Sequence, residues 1–496
     1  MKNKPFNYLI IVLGLIPMLF WLYRCFYLDL WYDEVFSLEH FALVDFSTTL
    51  FYYPAPNNHI FYNLLMQVVS RVFDIRNILL AEEYSFIFRL LQFVVSLLCG
   101  LYTIKILKKF FHITNAYIAL AVLFTTVPFM NFSLQLRGYC LSMLLLVMLV
   151  YYGWSFKQNN RKRTMVLLAI LSTLLLYTIP SNLYVLVAFC GAIAVSGFFA
   201  LKEKDHLVFK NCSKIIGAVI IGVIFAVILY LPIWEELVYN KFSNRSASGY
   251  FLSFKILLLS LPQFLAKRYA LLLLFVPGLF VVFKMKNNKM KQHYVALLVL
   301  FMSAFIVSFV HQKSPYARVF IPLAPVFVLL LVIPIINLLK KLPEKISLGL
   351  QIAVCLYCTG VFIFEVKTND VVIAQNLINK NYVSQNLYEN YYLAQFFRQD
   401  EVITQLSSNY RGEPIVMFQQ RDIPSTSLYL KKHQLSAKKI EGLHTLKLLL
   451  KEEDEVFILT SHKKNLLKEL RAFPKIKIET ISKDETFTTV IKVSSQ

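Results

Sequence analysis

Two adjacent carboxylates, Asp33 and Glu34, come shortly after the first strongly apolar stretch of the chain, Phe6 to Tyr23, with Trp31 and Tyr32 just before them. Acids placed where a membrane helix meets water can take a proton from an acceptor held at that boundary. Neighbours on a helix do not face each other, so the two do not form a mutual acid/base pair. One can face a cavity while the other holds the loop. Asp33 is the candidate catalytic base and Glu34 its companion. Asp33 also reads as the N-cap of the helix that follows, and a capping carboxylate is rigidly placed. Acid chemistry is concentrated here, because most Asp and Glu before residue 364 lie between Asp29 and Glu83.

A second constellation is Asn57-Asn58-His59. His59 could contact a phosphate, a sugar or Asp33, and Asn58 reads as a helix cap as well. The chain shows no run of His, Cys, Asp and Glu at ligand spacing, so no metal or other cofactor is expected. Basic residues form a third group. Arg137 opens one apolar stretch, Lys267 and Arg268 sit one turn into another, and Lys313 and Arg318 precede a third. A charge within a span costs about 2.5–3.5 kcal/mol and less near its ends. Snorkelling to headgroups is one answer. A shared phosphate site built from Arg137, Arg268, Arg318 and Lys267 is the other.

The elements that must carry these residues are membrane helices. The chain is 57% hydrophobic over 496 residues, with a mean hydropathy of +0.57, well above a soluble domain. About eleven apolar runs are long enough to cross a bilayer, near 6–23, 84–104, 114–130, 137–156, 164–180, 182–200, 214–233, 263–283, 293–310, 319–339 and 346–364. The net charge of +22 comes largely from Lys and Arg in short loops between runs. With a cytoplasmic N-terminus every such loop falls inside, the positive-inside pattern, and the C-terminal part falls outside. The surplus is thus a membrane signature and does not predict nucleic-acid binding. Met1 to Lys4 before an apolar run resembles a signal peptide, but bulky Met18 to Trp21 gives no small-residue cleavage site and predicts a retained anchor. Cys355 and Cys358 lie in an apolar helix with no charge beside them and read as packing.

Two domains follow: 1–364 in the membrane, and 365–496 as a soluble extracytoplasmic α/β domain. The outer loop 24–83 is expected to hold two juxtamembrane helices parted by Pro54 and Pro56. The second has a stripe of Ile60, Phe61, Leu64, Leu65, Val68, Val69 and Val72, suited to the membrane interface. In the tail, 381–397 and 465–473 read as helices. Residues 414–418 and 455–459 read as buried strands, and 475–479 with 486–493 as a hairpin.

At these residues the chain resembles the GT-C superfamily of membrane glycosyltransferases, nearest to protein O-mannosyltransferases and lipid A aminoarabinose transferases. The likeness rests on Asp33-Glu34 after the first span and on Asn58-His59-Ile60-Phe61-Tyr62, where the family has a His-Pro-Pro-Leu-like motif. Arg89-Leu90-Leu91, Gln135-Leu136-Arg137-Gly138-Tyr139 and Tyr316-Ala317-Arg318-Val319-Phe320-Ile321-Pro322-Leu323 complete it. It covers roughly residues 1–340. The resemblance implies a GT-C-like fold and a metal-independent transfer of a sugar from a polyprenyl-phosphate donor. The acceptor is a lipid, glycan or protein at the outer face of the cytoplasmic membrane. It also implies Asp33 as general base, with Asn58, His59 and Tyr139 near substrate. A lipid-linked saccharide translocator is a second reading, and an O-antigen ligase or polymerase a third. Ionisable residues gather at the outer side rather than mid-membrane, which disfavours transport. The main outer loop follows the first span, whereas a ligase is expected to carry it late in the chain.

Overall fold

The structure is a computed structural model describing residues 4–54, 58–239, 264–285, 287–310, 317–379, 398–420, 422–471, 476–482 and 487–495, with Lys255, Leu257, Leu258, Leu261 and Phe473. The expected helix 381–397, Asn57, Lys313 and Tyr316 lie outside these residues. The membrane part is helical. Its helices include α1 (Lys4–Arg24), α6 (Ser85–Phe110), α9 (Tyr139–Asn159), α10 (Lys162–Thr178), α11 (Leu183–Lys202) and α12 (His206–Tyr230). Then come α14 (Leu271–Lys284), α15 (Asn288–Val310), α16 (Ala324–Leu339) and α17 (Glu344–Asn379), with the short α13 (Trp234–Val238) between α12 and α14. Among the described residues seven helices are long and apolar enough to cross a membrane, and Tyr8–Arg24 and Leu271–Lys284 are shorter apolar helices.

The stretch expected as a third span, 114–130, is broken. It forms α7 (Ile118–Leu123) and α8 (Val127–Phe132), two helices of one to two turns each. The cause is local. The Thr125 hydroxyl donates back to Ala121 O (2.6 Å), that of Thr126 donates to Leu123 O (2.9 Å), and Pro128 stands in the first turn of α8. Side chains that bond their own backbone compete with the helix ladder. An interrupted helix survives at membrane depth only when enclosed by protein, and here residues 118–130 are buried throughout.

The loop 24–83 holds more elements than the two helices expected. They are α2 (Tyr32–Ser37), a π-helical turn (Leu38–Ala42), α3 (Phe46–Phe51), α4 (Ile60–Val72) and α5 (Ile78–Glu83). The π-turn leaves the Phe41 and Ala42 carbonyls without helical partners. Gln67 Nε2 donates to Phe41 O (2.8 Å), Val44 O (2.9 Å) and Thr49 Oγ1 (2.7 Å), and Ser70 Oγ donates to Ala42 O (3.1 Å). The polar side of α4 therefore faces the protein. Much of its apolar stripe faces outward, with Val68 50% and Val72 71% exposed. Beside a bilayer this inversion is favourable, because lipid accepts apolar side chains and the protein satisfies the polar ones.

The C-terminal part is a five-stranded sheet in the order β2-β1-β3-β5-β4. β1 (Ile415–Phe418) runs parallel to β2 (Lys438–Ile440) and β3 (Glu455–Thr460). β5 (Thr489–Ser495) runs antiparallel to β3 and to β4 (Ile476–Thr480), which gives the expected hairpin. Between and before the strands lie α18 (Gln399–Asn409), α19 (Ile423–Lys432), α20 (Leu443–Glu452) and α21 (Lys463–Leu470). This domain sits on the loop 24–83. Tyr429 Oη accepts from Leu30 N–H (2.8 Å), Asp29 Oδ2 accepts from Asp400 N–H (2.9 Å), and Lys432 Nζ reaches Glu82 (3.0 Å) and Asp400 (2.9 Å).

This contact is expected to be pH-sensitive. Burial pushes the Asp29 carboxyl up to about 7, and the charges of Asp400 and Glu82 add to the push. A carboxyl whose folded value is raised supports the docked state in full only below its ordinary range, near 4. That support is lost as pH rises through about 7. Melting temperature is therefore expected to fall between pH 5 and 8, and Asp29→Asn to flatten that fall. A parallel slope in the variant would remove Asp29 as its source.

Candidate active site

The site is built from the N-terminal end of α2, the N-terminal half of α6 and the turn that leads into α9. Trp31 is the N-cap of α2 and its N–H donates to Glu34 Oε2 (3.3 Å). The helix thus begins earlier than the capping reading of Asp33 requires, and Asp33 is its second residue. Glu34 is 1% exposed and fully engaged. Arg89 grips it in a fork, Nη1 to Oε1 (3.0 Å) and Nη2 to Oε2 (3.1 Å), and Leu136 N–H donates to Oε1 (2.9 Å). The same guanidinium donates to Leu134 O (3.1 Å), Asp29 O (3.2 Å) and Leu28 O (3.4 Å). One buried ion pair therefore ties three segments together: residues 28–34, α6 and the turn before α9.

Gln92 stands one turn beyond Arg89 on α6. Its Nε2 donates to Phe132 O (3.0 Å) and Arg137 O (3.3 Å), so the turn at 132–138 is held along its length. That turn presents Arg137, which forms an ion pair with Asp33. The two acids thus have different surroundings. The Asp33 side chain keeps 16% of its surface exposed, while that of Glu34 keeps 1%.

His59 completes this cluster. Its Nδ1 accepts from Gly138 N–H (2.9 Å), so Nε2 carries the proton when the ring is neutral. Burial holds the imidazole well below its ordinary value, and the charges of Arg137 and Arg318 reinforce that. His59 packs edge-on against Tyr139 (5.0 Å between centroids), whose ring also lies under Arg137 (5.2 Å). Gly138 is needed for this approach. A Cβ there would stand 2.5 Å from Thr178 Cγ2 and 3.3 Å from the His59 ring.

The structure thus brings Asp33, Arg137, His59 and Tyr139 together, with Arg318 within electrostatic reach of His59. Asn58 is buried beneath, donating to Thr49 O (3.0 Å) and Tyr52 O (3.0 Å) and accepting from Asn63 (2.9 Å), which fixes the end of α3 to α4. Arg268 is engaged at the broken span. Its guanidinium donates to Val122 O (2.8 Å), Phe264 O (3.1 Å), Leu265 O (2.7 Å) and the Thr125 hydroxyl. Val122 O and the Thr125 hydroxyl lie at the break between α7 and α8, so a cation there has a structural occupation. Lys267 lies beside it at the surface with a left-handed backbone (φ 59°). Reading the sequence missed Arg89 as the partner of Glu34. Part of the signal was present: an Arg five residues into an apolar helix requires a counter-charge, and the acids at 29–34 and at 82–83 were the candidates, between which only the fold chooses.

No protein-family model matches the chain, and no curated protein matches it. Solved structures do. ArnT from Cupriavidus metallidurans, bound to undecaprenyl phosphate, superimposes with a TM-score of 0.52 at 13% identity over 99% of this chain and 98% of that one. The same protein in its apo state gives a TM-score of 0.53 at 12% identity over the same shares. The chain therefore shares its overall fold with ArnT, a helical membrane body with a small C-terminal sheet domain; the sequence resemblance implied such a body, and the pattern of the tail implied the sheet.

Proposed function

We propose that this chain is a membrane glycosyltransferase that moves a sugar from a polyprenyl-phosphate donor to a lipid, glycan or protein acceptor at the outer face of the cytoplasmic membrane. The observation that carries the reading is the Asp33–Arg137 pair, a partly exposed carboxylate set against a buried guanidinium under the C-terminal domain. The fold shared with ArnT, described in complex with undecaprenyl phosphate, supports the class of donor. Of the two adjacent acids, Asp33 is the base, because Glu34 is closed to solvent and saturated by hydrogen bonds.

The acceptor's nucleophilic atom attacks the anomeric carbon of the donor sugar, and its proton passes to Asp33. The bond from that carbon to the phosphate oxygen breaks, and polyprenyl phosphate leaves. Charge grows on the phosphate as this bond breaks, so a cation beside it stabilises the transition state more than the bound donor. Arg318 and Arg137 are suited to this. Neutral His59 can donate from Nε2 to the donor or the acceptor. Arg268 is assigned to the broken span rather than to the phosphate.

The test uses full-length protein in nanodiscs with a panel of polyprenyl-phosphate sugars and reads released polyprenyl phosphate. Lipid-linked sugars in a deletion strain are profiled in parallel. Arg318→Ala is expected to lower turnover and donor affinity by roughly tenfold each. Arg318→Lys is expected to lower turnover more than affinity, since an ammonium cannot copy the planar fork. If both variants stay within about threefold of the unmodified chain, under about 1 kcal/mol, Arg318 is a headgroup anchor. Absence of release with every donor, together with an unchanged lipid profile, overturns the reading.

A further inference from the structure

Asp422 belongs to the C-terminal domain and stands at the start of α19, which packs against α2. It is the N-cap of α19, where Oδ1 accepts from Ser425 N–H (3.1 Å), and it is buried. Its surroundings are rigid. Thr426, one turn on, receives hydrogen bonds from Gln399 Nε2 (2.6 Å) and Gln420 Nε2 (2.6 Å), and its hydroxyl donates to Asp422 O (2.5 Å). Gln420 also reaches Thr488 (2.7 Å) and accepts from Ser461. Residues after β1 and β3, the start of α18 and the residue before β5 thus hold the first turn of α19, and with it the main chain of Asp422, in place.

Across the packed contact of α19 with α2, the Asp422 carboxylate lies within electrostatic reach of Tyr32 and Asp33. Burial pushes it up to about 7, the Asp33 charge adds to this, and the Ser425 and Tyr32 main chain oppose it. Asp33 and Asp422 in turn both raise the Tyr32 hydroxyl, after burial. Capping alone gives no reason for a charge here, because Asn and Ser cap as well as Asp. Two acids brought together by separate domains repel each other, and the repulsion disappears when one takes a proton. Transfer of the acceptor's proton to Asp33 is such an event.

We propose that Asp422 is a positioning residue of the transfer centre, fixing the first turn of α2 from above and setting a second carboxylate against Asp33, so that the C-terminal domain is part of the active site. The proposal rests on the reading of Asp33 as the base. The charge acts only when Asp422 is ionised. Its contribution to turnover is therefore absent well below pH 7 and present above it.

The experiment compares Asp422→Asn with the unmodified full-length chain in nanodiscs. It uses whichever polyprenyl-phosphate sugar supports turnover. Asn retains the cap, so folding is preserved. The expected ratio of turnover, unmodified over variant, rises from about one at pH 5.5 to about tenfold at pH 8.5, with donor affinity unchanged. A second arm needs no reaction. In an Asp29→Asn background, infrared spectroscopy should show a protonated carboxyl titrating near pH 7. That band should be lost in Asp422→Asn and moved to lower pH in Asp33→Asn. A flat ratio across pH, or a band indifferent to Asp33→Asn, overturns the proposal. Transfer that survives Asp33→Asn overturns the base assignment instead, and the infrared arm still decides whether the two carboxyls interact.

Discussion

Asp33→Asn in the full-length chain is expected to lower transfer by roughly 10²–10⁴-fold, the range for loss of a positioned base. The donor should still bind. Asparagine is isosteric and its Oδ1 still accepts from Arg137, so the geometry at the start of α2 is retained. What is lost is the capacity to take a proton. The variant also removes the negative partner of a buried guanidinium, and an unpaired buried charge is destabilising. Melting temperature must therefore be measured beside turnover. Asp33→Ala serves as the comparison, since it removes the hydrogen-bond acceptor too and should be the less stable of the two. A large loss of turnover in Asp33→Asn with intact donor binding supports the assignment. Near-normal transfer at matched protein levels would place the base elsewhere.

The membrane helices were legible in the sequence because a bilayer imposes one long apolar run per crossing. Ten of the expected runs have a counterpart helix, although the last, expected to end near 364, continues as α17 to Asn379. The run at 114–130 did not form one helix, because Thr125 and Thr126 bond their own backbone and Arg268, far along the chain, supplies donors for the break. Hydropathy has no term for such a partner. The stripe on α4 was read correctly as apolar, but which side faces the protein depends on the solvent. In lipid the buried side is the one carrying Asn63, Gln67 and Ser70. In the tail the strands at 415–418 and 455–460 were legible as buried apolar runs, while β2 was not. It is a three-residue edge, Lys438–Ile440, with two exposed lysines. For the site, Asp33 and Arg137 were each singled out for a separate reason, and only the fold joins them. Asp422 carries no local signal beyond that of a helix cap.

Arg89→Met is the second change with a large expected effect, and the effect falls on stability. The guanidinium is buried and holds a buried carboxylate and three carbonyls from segments far apart in sequence. Removing it leaves Glu34 as a charge without a counter-ion and releases the oxygens of Leu28, Asp29 and Leu134. Breaking one side of such a pair typically costs about 3–5 kcal/mol. Glu34→Gln leaves the opposite charge stranded and turns an acceptor oxygen into an amide donor facing Arg89, so it too should destabilise strongly. The harm from Glu34→Gln therefore lies in the fold of the outer loop and only indirectly in the chemistry. The decisive measurement is a double-mutant cycle on thermal unfolding. Glu34→Gln with Arg89→Met leaves no stranded charge and should recover part of the sum of the single losses, a coupling of the order of 1–3 kcal/mol. Proteolysis within residues 24–83 should rise in both single variants and less in the double. Single losses below about 1 kcal/mol with additive behaviour would mean that the pair does not hold the loop, and that Asp33 is positioned by α2 and the C-terminal domain alone.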